Sequence, residues 1–314
     1  MPATAAVEPS GSAAPRRTLL VIGGAEDKRG RSVVLRRFVR LAGGRRSRIV
    51  IVPTASSFDT EATQTYAAVF QRLRAGDSIA TVNPTSRQDA FDPALVARLD
   101  DATGVFMTGG NQLKLTQHIV GTPVGEAIVR AYHRGAVIAG TSAGASAMSR
   151  FMISMGDEGL TPRQRASQLS SGLGLLERVV VDQHFDQRAR YGRLLSIVAT
   201  SLDLIGLGID ENTAAEIVNE RRLTVLGAGA VFVIDGRRAV TDSPEARRGA
   251  PLLVSGAVVH SLPAGASFDL ADATLVGFVE HHLDVGVVVG GTHDRSAADL
   301  GQVASDTGMT PPPA

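Results

Sequence analysis

The stretch V-I-A-G-T-S-A-G-A-S-A-M, residues 137–148, starts as an unbroken apolar run and passes through Gly140, Thr141, Ser142, Ala143 and Gly144 into further small residues. Such a run, bounded by glycine, reads as a strand buried on both faces, of the kind found in parallel sheets. Small residues directly after it permit the tight strand-to-helix turn that lifts a serine hydroxyl clear of the backbone. The helix that follows presents free N–H groups and a positive dipole end to a developing oxyanion. Ser142, central in G-T-S-A-G, is therefore the candidate nucleophile and the Ala143 N–H a candidate oxyanion donor, whereas Ser146 and Ser149 read as packing or helix-surface residues. A lone serine at a tight turn serves equally well as a helix N-cap. The chemical reading therefore needs a base and a carboxylate at the same place.

Upstream, T-L-L-V-I (18–22), R-I-V-I-V (48–52), S-I-A-T-V (78–82), G-V-F-M-T (104–108) and A-V-I-A-G (136–140) repeat the strand pattern, each stopped by Gly, Pro or Asn. Between them, segments 32–41, 61–74, 93–99 and 125–133 carry apolar residues at the three- and four-residue spacing of amphipathic helices. The alternation predicts a doubly wound α/β fold with a mostly parallel sheet, whose ligands sit beyond the carboxyl ends of the strands. After Arg178 it continues through R-V-V-V-D, a helix from about 188 to 200 and the strand I-G-L-G-I-D. The later segments A-E-I-V, L-T-V-L-G, A-V-F-V-I-D-G, P-L-L-V-S-G-A-V-V-H and A-S-F-D-L are close-spaced, and predict antiparallel strands that extend the sheet. A single domain over 18–290 is expected, between a disordered leader (1–17) and a disordered tail (291–314).

Composition narrows the function classes. With 32 Lys+Arg against 31 Asp+Glu in 314 residues, the net charge of +1 sets up no global field toward nucleic acid or an anionic membrane. The absence of cysteine removes disulfides, thiolate metal sites and a cysteine nucleophile, so nucleophilic catalysis would use a hydroxyl. The longest apolar stretch, residues 223–234, is shorter than the roughly 20 residues a membrane span needs. The first residues have neither a basic start nor an apolar core of the secretory kind, so a cytoplasmic location is expected.

Of the seven histidines, His118 and His133 sit in helical patterns, and His260, His281, His282 and His293 lie in the C-terminal third. His184 instead follows R-V-V-V-D-Q at a strand's carboxyl end, the edge that carries Ser142, and is the candidate base. The strand I-G-L-G-I-D-E brings both Asp210 and Glu211 to that edge, and spacing does not choose between them as the partner of the imidazole. Gly pairs follow the first strand (G-G-A-E-D-K) and the fourth (G-G-N-Q-L-K-L); such pairs allow close backbone approach to a ligand, and the Gly110 N–H is the second oxyanion candidate. G-G-A-E-D is no dinucleotide site, because it lacks the G-x-G-x-x-G pattern and puts carboxylates where a pyrophosphate would sit. Around His184, D-Q-H-F-D-Q-R-A-R-Y-G-R supplies Arg188, Arg190 and Arg193, whose guanidinium forks suit a carboxylate-rich substrate, although they do not share one helix face.

Six pieces, V-I-G-G-A-E-D-K, I-V-P-T-A-S, F-M-T-G-G-N-Q-L-K-L, A-G-T-S-A-G-A-S-A-M, V-D-Q-H-F-D-Q-R-A-R-Y-G-R-L and G-I-D-E-N-T-A, together resemble the cyanophycinase family in order and over roughly residues 18–260. That family consists of serine peptidases related to dipeptidase E, with a flavodoxin-like core similar to class I glutamine amidotransferases. The resemblance implies Ser142 as nucleophile, His184 as base and Glu211 as its carboxylate partner. It further implies Gln112, Asp182, Gln183, Arg188, Arg190 and Arg193 as the substrate pocket. The substrate would be cyanophycin, a poly-aspartate backbone with arginine on each β-carboxyl, cut by an exopeptidase to β-aspartyl-arginine. Arg188, Arg190 and Arg193 would hold aspartyl carboxylates, and Asp182, Glu26 or Asp27 would take guanidinium groups. Asn111 departs from the family's Asp. The chemistry requires no metal and no cofactor, and the resemblance implies a homodimer. The rival readings are a dipeptidase E-like hydrolase of short Asp-X or β-aspartyl peptides, and a non-catalytic binder of aspartate-rich polymer.

Overall fold

The computed structural model describes residues 15–279. The expected leader and tail, with His281, His282 and His293, lie wholly or almost wholly outside that range. Five parallel strands, β1 (Thr18–Ile22), β2 (Arg48–Val52), β3 (Ser78–Thr81), β4 (Gly104–Met107) and β5 (Val137–Thr141), stand in the order β1-β5-β4-β2-β3. The crossover helices are α1 (Val33–Leu41), α2 (Asp59–Arg72), α3 (Pro93–Asp100), α4 (Gln112–Ile119) and α5 (Pro123–His133). Alternation along β1 divides the core. Leu20 and Ile22 join Phe38, Tyr66, Phe70 and Phe106 under α1 and α2, whereas Leu19 and Val21 join Val105, Ile128 and Ile138 on the opposite face. Four of the five runs are almost wholly buried, but β3 is the sheet edge and only half-buried.

Local signals account for the helix starts. Asp92 and Thr122 each accept a backbone N–H of the first turn, and Pro93 and Pro123 occupy the first helical position, where no N–H is needed. Helix α4, which falls between the expected segments, opens with the Asn111 side chain accepting the Lys114 N–H at 3.1 Å. Asn and Asp are comparable N-caps, so the departure from the family's Asp preserves this local role.

After β5 come α6 (Ala143–Ser146) and a hairpin of β6 (Phe151–Gly156) and β7 (Ser167–Ser171), which the periodicity does not signal. Then follow β8 (Val179–Gln183), α7 (Tyr191–Thr200), β9 (Ile205–Ile209), β10 (Thr213–Val218), β11 (Arg222–Gly227) and β12 (Ala230–Asp235). The remaining strands are the short pair β13 (Val240–Thr241) and β14 (Val254–Ser255), then β15 (Val258–Pro263), β16 (Ser267–Asp269) and β17 (Thr274–Gly277). Strands β10, β11, β16 and β17 extend the main sheet antiparallel from β1, making nine strands.

The expected single sheet divides here. Strands β8 and β9 pair in parallel with each other and then, through β12 and β15, form a separate four-stranded sheet. The reason lies in β1, whose two edges are already taken by β5 and β10. Val181, Leu207, Val231 and Leu262 pack into the same core as Leu19 and Ile138, so the smaller sheet covers one face of the larger.

Candidate active site

The turn after β5 places Ser142 at φ 52° and ψ −110°, a backbone conformation costly for a non-glycine residue and maintained only by its surroundings. Its N–H donates to the Ile22 carbonyl at 3.0 Å. Gly144 is required by packing, because a Cβ there would stand 2.4 Å from the Met107 carbonyl oxygen. The Ser142 hydroxyl meets His184 Nε2 at 2.9 Å, and His184 Nδ1 meets Glu211 Oε1 at 2.6 Å. A carboxylate can only accept, so Nδ1 carries the proton and Nε2 is left free to take one from Ser142.

The smaller sheet brings the histidine and the carboxylate together. His184 directly follows β8 and Glu211 follows β9, and these two strands are paired in parallel. Asp210, the alternative that spacing left open, is turned into the fold: its two carboxylate oxygens accept the N–H groups of Asp186 and Ala230. Glu211 in turn is seated by the Gln187 side chain, which accepts the Glu211 N–H at 2.9 Å. No spacing in the sequence signals Gln187, because the contact exists only once β8 and β9 are paired.

Burial pushes the His184 imidazolium pKa down. Its hydrogen bond to Glu211 opposes that, and the Arg188 and Arg190 charges add to it. The shift favours the neutral imidazole, the form a general base requires. Beside Ser142 runs the turn after β4, where Gly110 adopts φ 140° and a Cβ would stand 2.1 Å from the Ala55 carbonyl oxygen. The N–H groups of Gly110 and Ala143 have no acceptor among the described residues, as oxyanion donors require.

The residues expected to form the substrate pocket separate into two groups. The Gln183 Oε1 stands 3.4 Å from the Ser142 hydroxyl, and Arg188 is exposed beside His184. Gln112 sits in the first turn of α4 and donates to the carbonyls of Ile153 and Ser154, tying the β6–β7 hairpin to that helix. Asp182, Arg190 and Arg193 instead form a buried ion cluster. Both Asp182 oxygens are held by Arg193, and Arg190 donates to the Gln183 carbonyl at 2.7 Å. With a side chain 1% exposed, Asp182 has no free face for a guanidinium. The other expected guanidinium acceptors are also engaged: Glu26 is buried against Tyr66, Thr141 and Lys28, and Asp27 accepts the N–H groups of Arg29, Gly30 and Ser32. Among the described residues no group of three or more His, Cys, Asp or Glu is arranged to hold a metal.

The profile of peptidase family S51 matches residues 19–225, the span that contains every residue of this site. The chain belongs to peptidase family S51. Curated relatives of the chain are cyanophycinases. That of Nostoc sp. is 38% identical over 266 residues, covering 84% of this chain and 89% of the relative. That of Geminocystis herdmanii is 35% identical over 252 residues, covering 80% and 92%. A solved peptidase from an acI-B1 Actinobacterium shares the fold, with a TM-score of 0.59 at 23% identity over 81% of this chain and 97% of that one. As a family S51 member of cyanophycinase type, the protein is a serine-type peptidase. Among the described residues no helix is long and apolar enough to cross a membrane.

Proposed function

We propose that this family S51 peptidase hydrolyses the poly-aspartate backbone of cyanophycin as an exopeptidase in the cytoplasm, releasing β-aspartyl-arginine through an acyl-enzyme on Ser142. The observation that carries the reading is the continuous relay from Ser142 through His184 to Glu211, at 2.9 and 2.6 Å. The choice of polymer rests on the curated relatives, which are named cyanophycinases.

In the first step His184 Nε2 takes the Ser142 proton while the oxygen adds to an α-peptide carbonyl of the aspartate chain. The resulting oxyanion lies against the N–H groups of Gly110 and Ala143. The imidazolium, stabilised by Glu211, returns its proton to the leaving amine, and the C–N bond breaks to leave an ester on Ser142. Water, deprotonated by His184, then adds to that ester, and collapse of the second tetrahedral species frees the dipeptide carboxylate and restores the Ser142 hydroxyl. Gln112, Gln183 and Arg188 face the substrate in this reading. Arg190 and Arg193 act behind them: with Asp182 they hold the strand end that carries Gln183 and His184.

The test is to incubate the protein with purified cyanophycin and follow products by mass spectrometry, beside Ser142→Ala. Release of β-aspartyl-arginine by wild type, with a loss on the order of 10⁴-fold or more in the variant, is the expected result. Cleavage of short aspartyl peptides with the polymer left intact would move the substrate to the dipeptidase E class. Failure of a fluorophosphonate to label Ser142 in folded protein would favour a binder.

A further inference from the structure

Glu26 is a carboxylate with a side chain only 1% exposed, and the peptidase mechanism does not use it. Burying such a charge costs several kcal/mol unless hydrogen bonds replace its water. Here they do. Its Oε2 accepts the Thr141 hydroxyl at 2.6 Å, and its Oε1 accepts the Tyr66 hydroxyl at 2.5 Å and lies 2.9 Å from Lys28 Nζ. Burial, reinforced by Glu26, holds the Tyr66 pKa well above its ordinary value, so Tyr66 remains a donor.

Thr141 immediately precedes Ser142, whose backbone adopts a conformation that only its surroundings maintain. The loop that carries Glu26 also reaches the other two members of the relay. The Gly23 carbonyl accepts the His184 N–H at 2.8 Å, and Gly24 packs so closely on the imidazole that a Cβ would stand 2.3 Å from its Cε1. The Gly24 carbonyl accepts the N–H of Asn212, the neighbour of Glu211, at 2.8 Å, and Asn212 Oδ1 accepts the Asp27 N–H at 2.9 Å. Residues 23–27 thus touch Ser142 through Thr141, His184 directly and Glu211 through Asn212. Because β5 belongs to the large sheet and β8 and β9 to the small one, this loop bridges the two sheets where their strand ends must register.

We propose that Glu26 is a positioning residue, which holds Thr141, and through it the Ser142 turn, in register with the base and carboxylate that the same loop contacts. The inference rests on Ser142 being the nucleophile. It assigns to G-G-A-E-D a function inside the protein, where the glycines admit the imidazole rather than a ligand.

The experiment compares wild type with Glu26→Gln, Thr141→Val and Thr141→Ser by steady-state hydrolysis, by the rate of fluorophosphonate labelling at Ser142 and by thermal melting. A displaced nucleophile predicts kcat and labelling rate both lower by roughly 10- to 100-fold in Glu26→Gln and Thr141→Val, with KM within about twofold of wild type. Thr141→Ser keeps the hydroxyl and recovers most of the rate. Should Glu26→Gln fail to fold, Thr141→Val, which preserves side-chain shape, carries the test. Wild-type labelling and kcat in folded Thr141→Val overturn the proposal. So does a loss borne entirely by KM, or a Thr141→Ser protein as impaired as Thr141→Val. If wild type itself is not labelled at Ser142, the nucleophile assignment fails and this inference fails with it; labelled wild type with unaffected variants removes this inference alone.

Discussion

At the scale of single residues, the decisive contrast is between Asp210 and Glu211, adjacent carboxylates at one strand end. The turn after β9 sends one inward to accept the N–H groups of Asp186 and Ala230 and the other to His184. Replacing Glu211 by Gln removes the charge that stabilises the imidazolium and disturbs the tautomer, so kcat falls by a factor on the order of 10⁴. The pH profile adds a signed test. His184 must be neutral to act, and its pKa lies below the ordinary 6.5 because of burial and the nearby arginine charges. Thus kcat/KM rises with pH through a value below 6.5 and then levels toward neutrality. Arg188→Gln removes one of the charges opposing imidazolium, so the acid limb moves to higher pH, whereas Glu211→Gln moves it lower. An unmoved limb in both variants would detach the profile from His184.

At the scale of elements, the segment from β8 to α7 is fastened by Asp182, Arg190 and Arg193. In the sequence, three arginines after D-Q-H-F read as a carboxylate pocket. Only the helix start at Tyr191 reveals that Arg193 turns back to Asp182. Asp182→Asn leaves the buried Arg193 guanidinium without its counter-charge, Arg190 keeping only the exposed Glu158, and costs about 3–5 kcal/mol, read from the denaturant midpoint. If Asp182 served the ligand instead, the same variant would lose affinity with little change in stability. The loop after β1 supplies a second element-scale prediction. At Gly24 (φ 103°) an added Cβ meets the His184 ring, so Gly24→Ala is expected to lower kcat roughly 100-fold by displacing the base. Parallel measurements of kcat and melting temperature separate that displacement from simple unfolding.

At the scale of the whole molecule, the two sheets share one core, in which Leu19, Ile138, Val181, Leu207 and Val231 pack together. Ser142 arrives from the larger sheet and His184 with Glu211 from the smaller, so the proposed relay exists only while the two remain packed. Shared burial of this kind predicts one cooperative transition. Loss of far-UV circular dichroism and loss of fluorophosphonate labelling at Ser142 are expected to coincide along a urea titration. Labelling that disappears well before the secondary structure would mean that the smaller sheet detaches on its own.

The five parallel strands, most crossover helices and the turn at Ser142 were legible in the chain itself, because each depends on local periodicity, Pro and Gly placement and small-residue runs. His184 was legible for the same reason, as a histidine at the end of an apolar run. The missing pieces are non-local. Helix α4 is short and its apolar face narrow, and the β6–β7 hairpin has too little alternation to signal strands. The division into two sheets follows from β10 taking the free edge of β1, which no window of sequence contains. Spacing left Asp210 and Glu211 open and only the resemblance pointed to Glu211, which the structure places against the imidazole; tertiary structure alone decided that Asp182 and Arg193 neutralise each other and that Glu26 grips Thr141. In each case the chain supplied a charge and its neighbourhood, but burial determined which partner that charge must find.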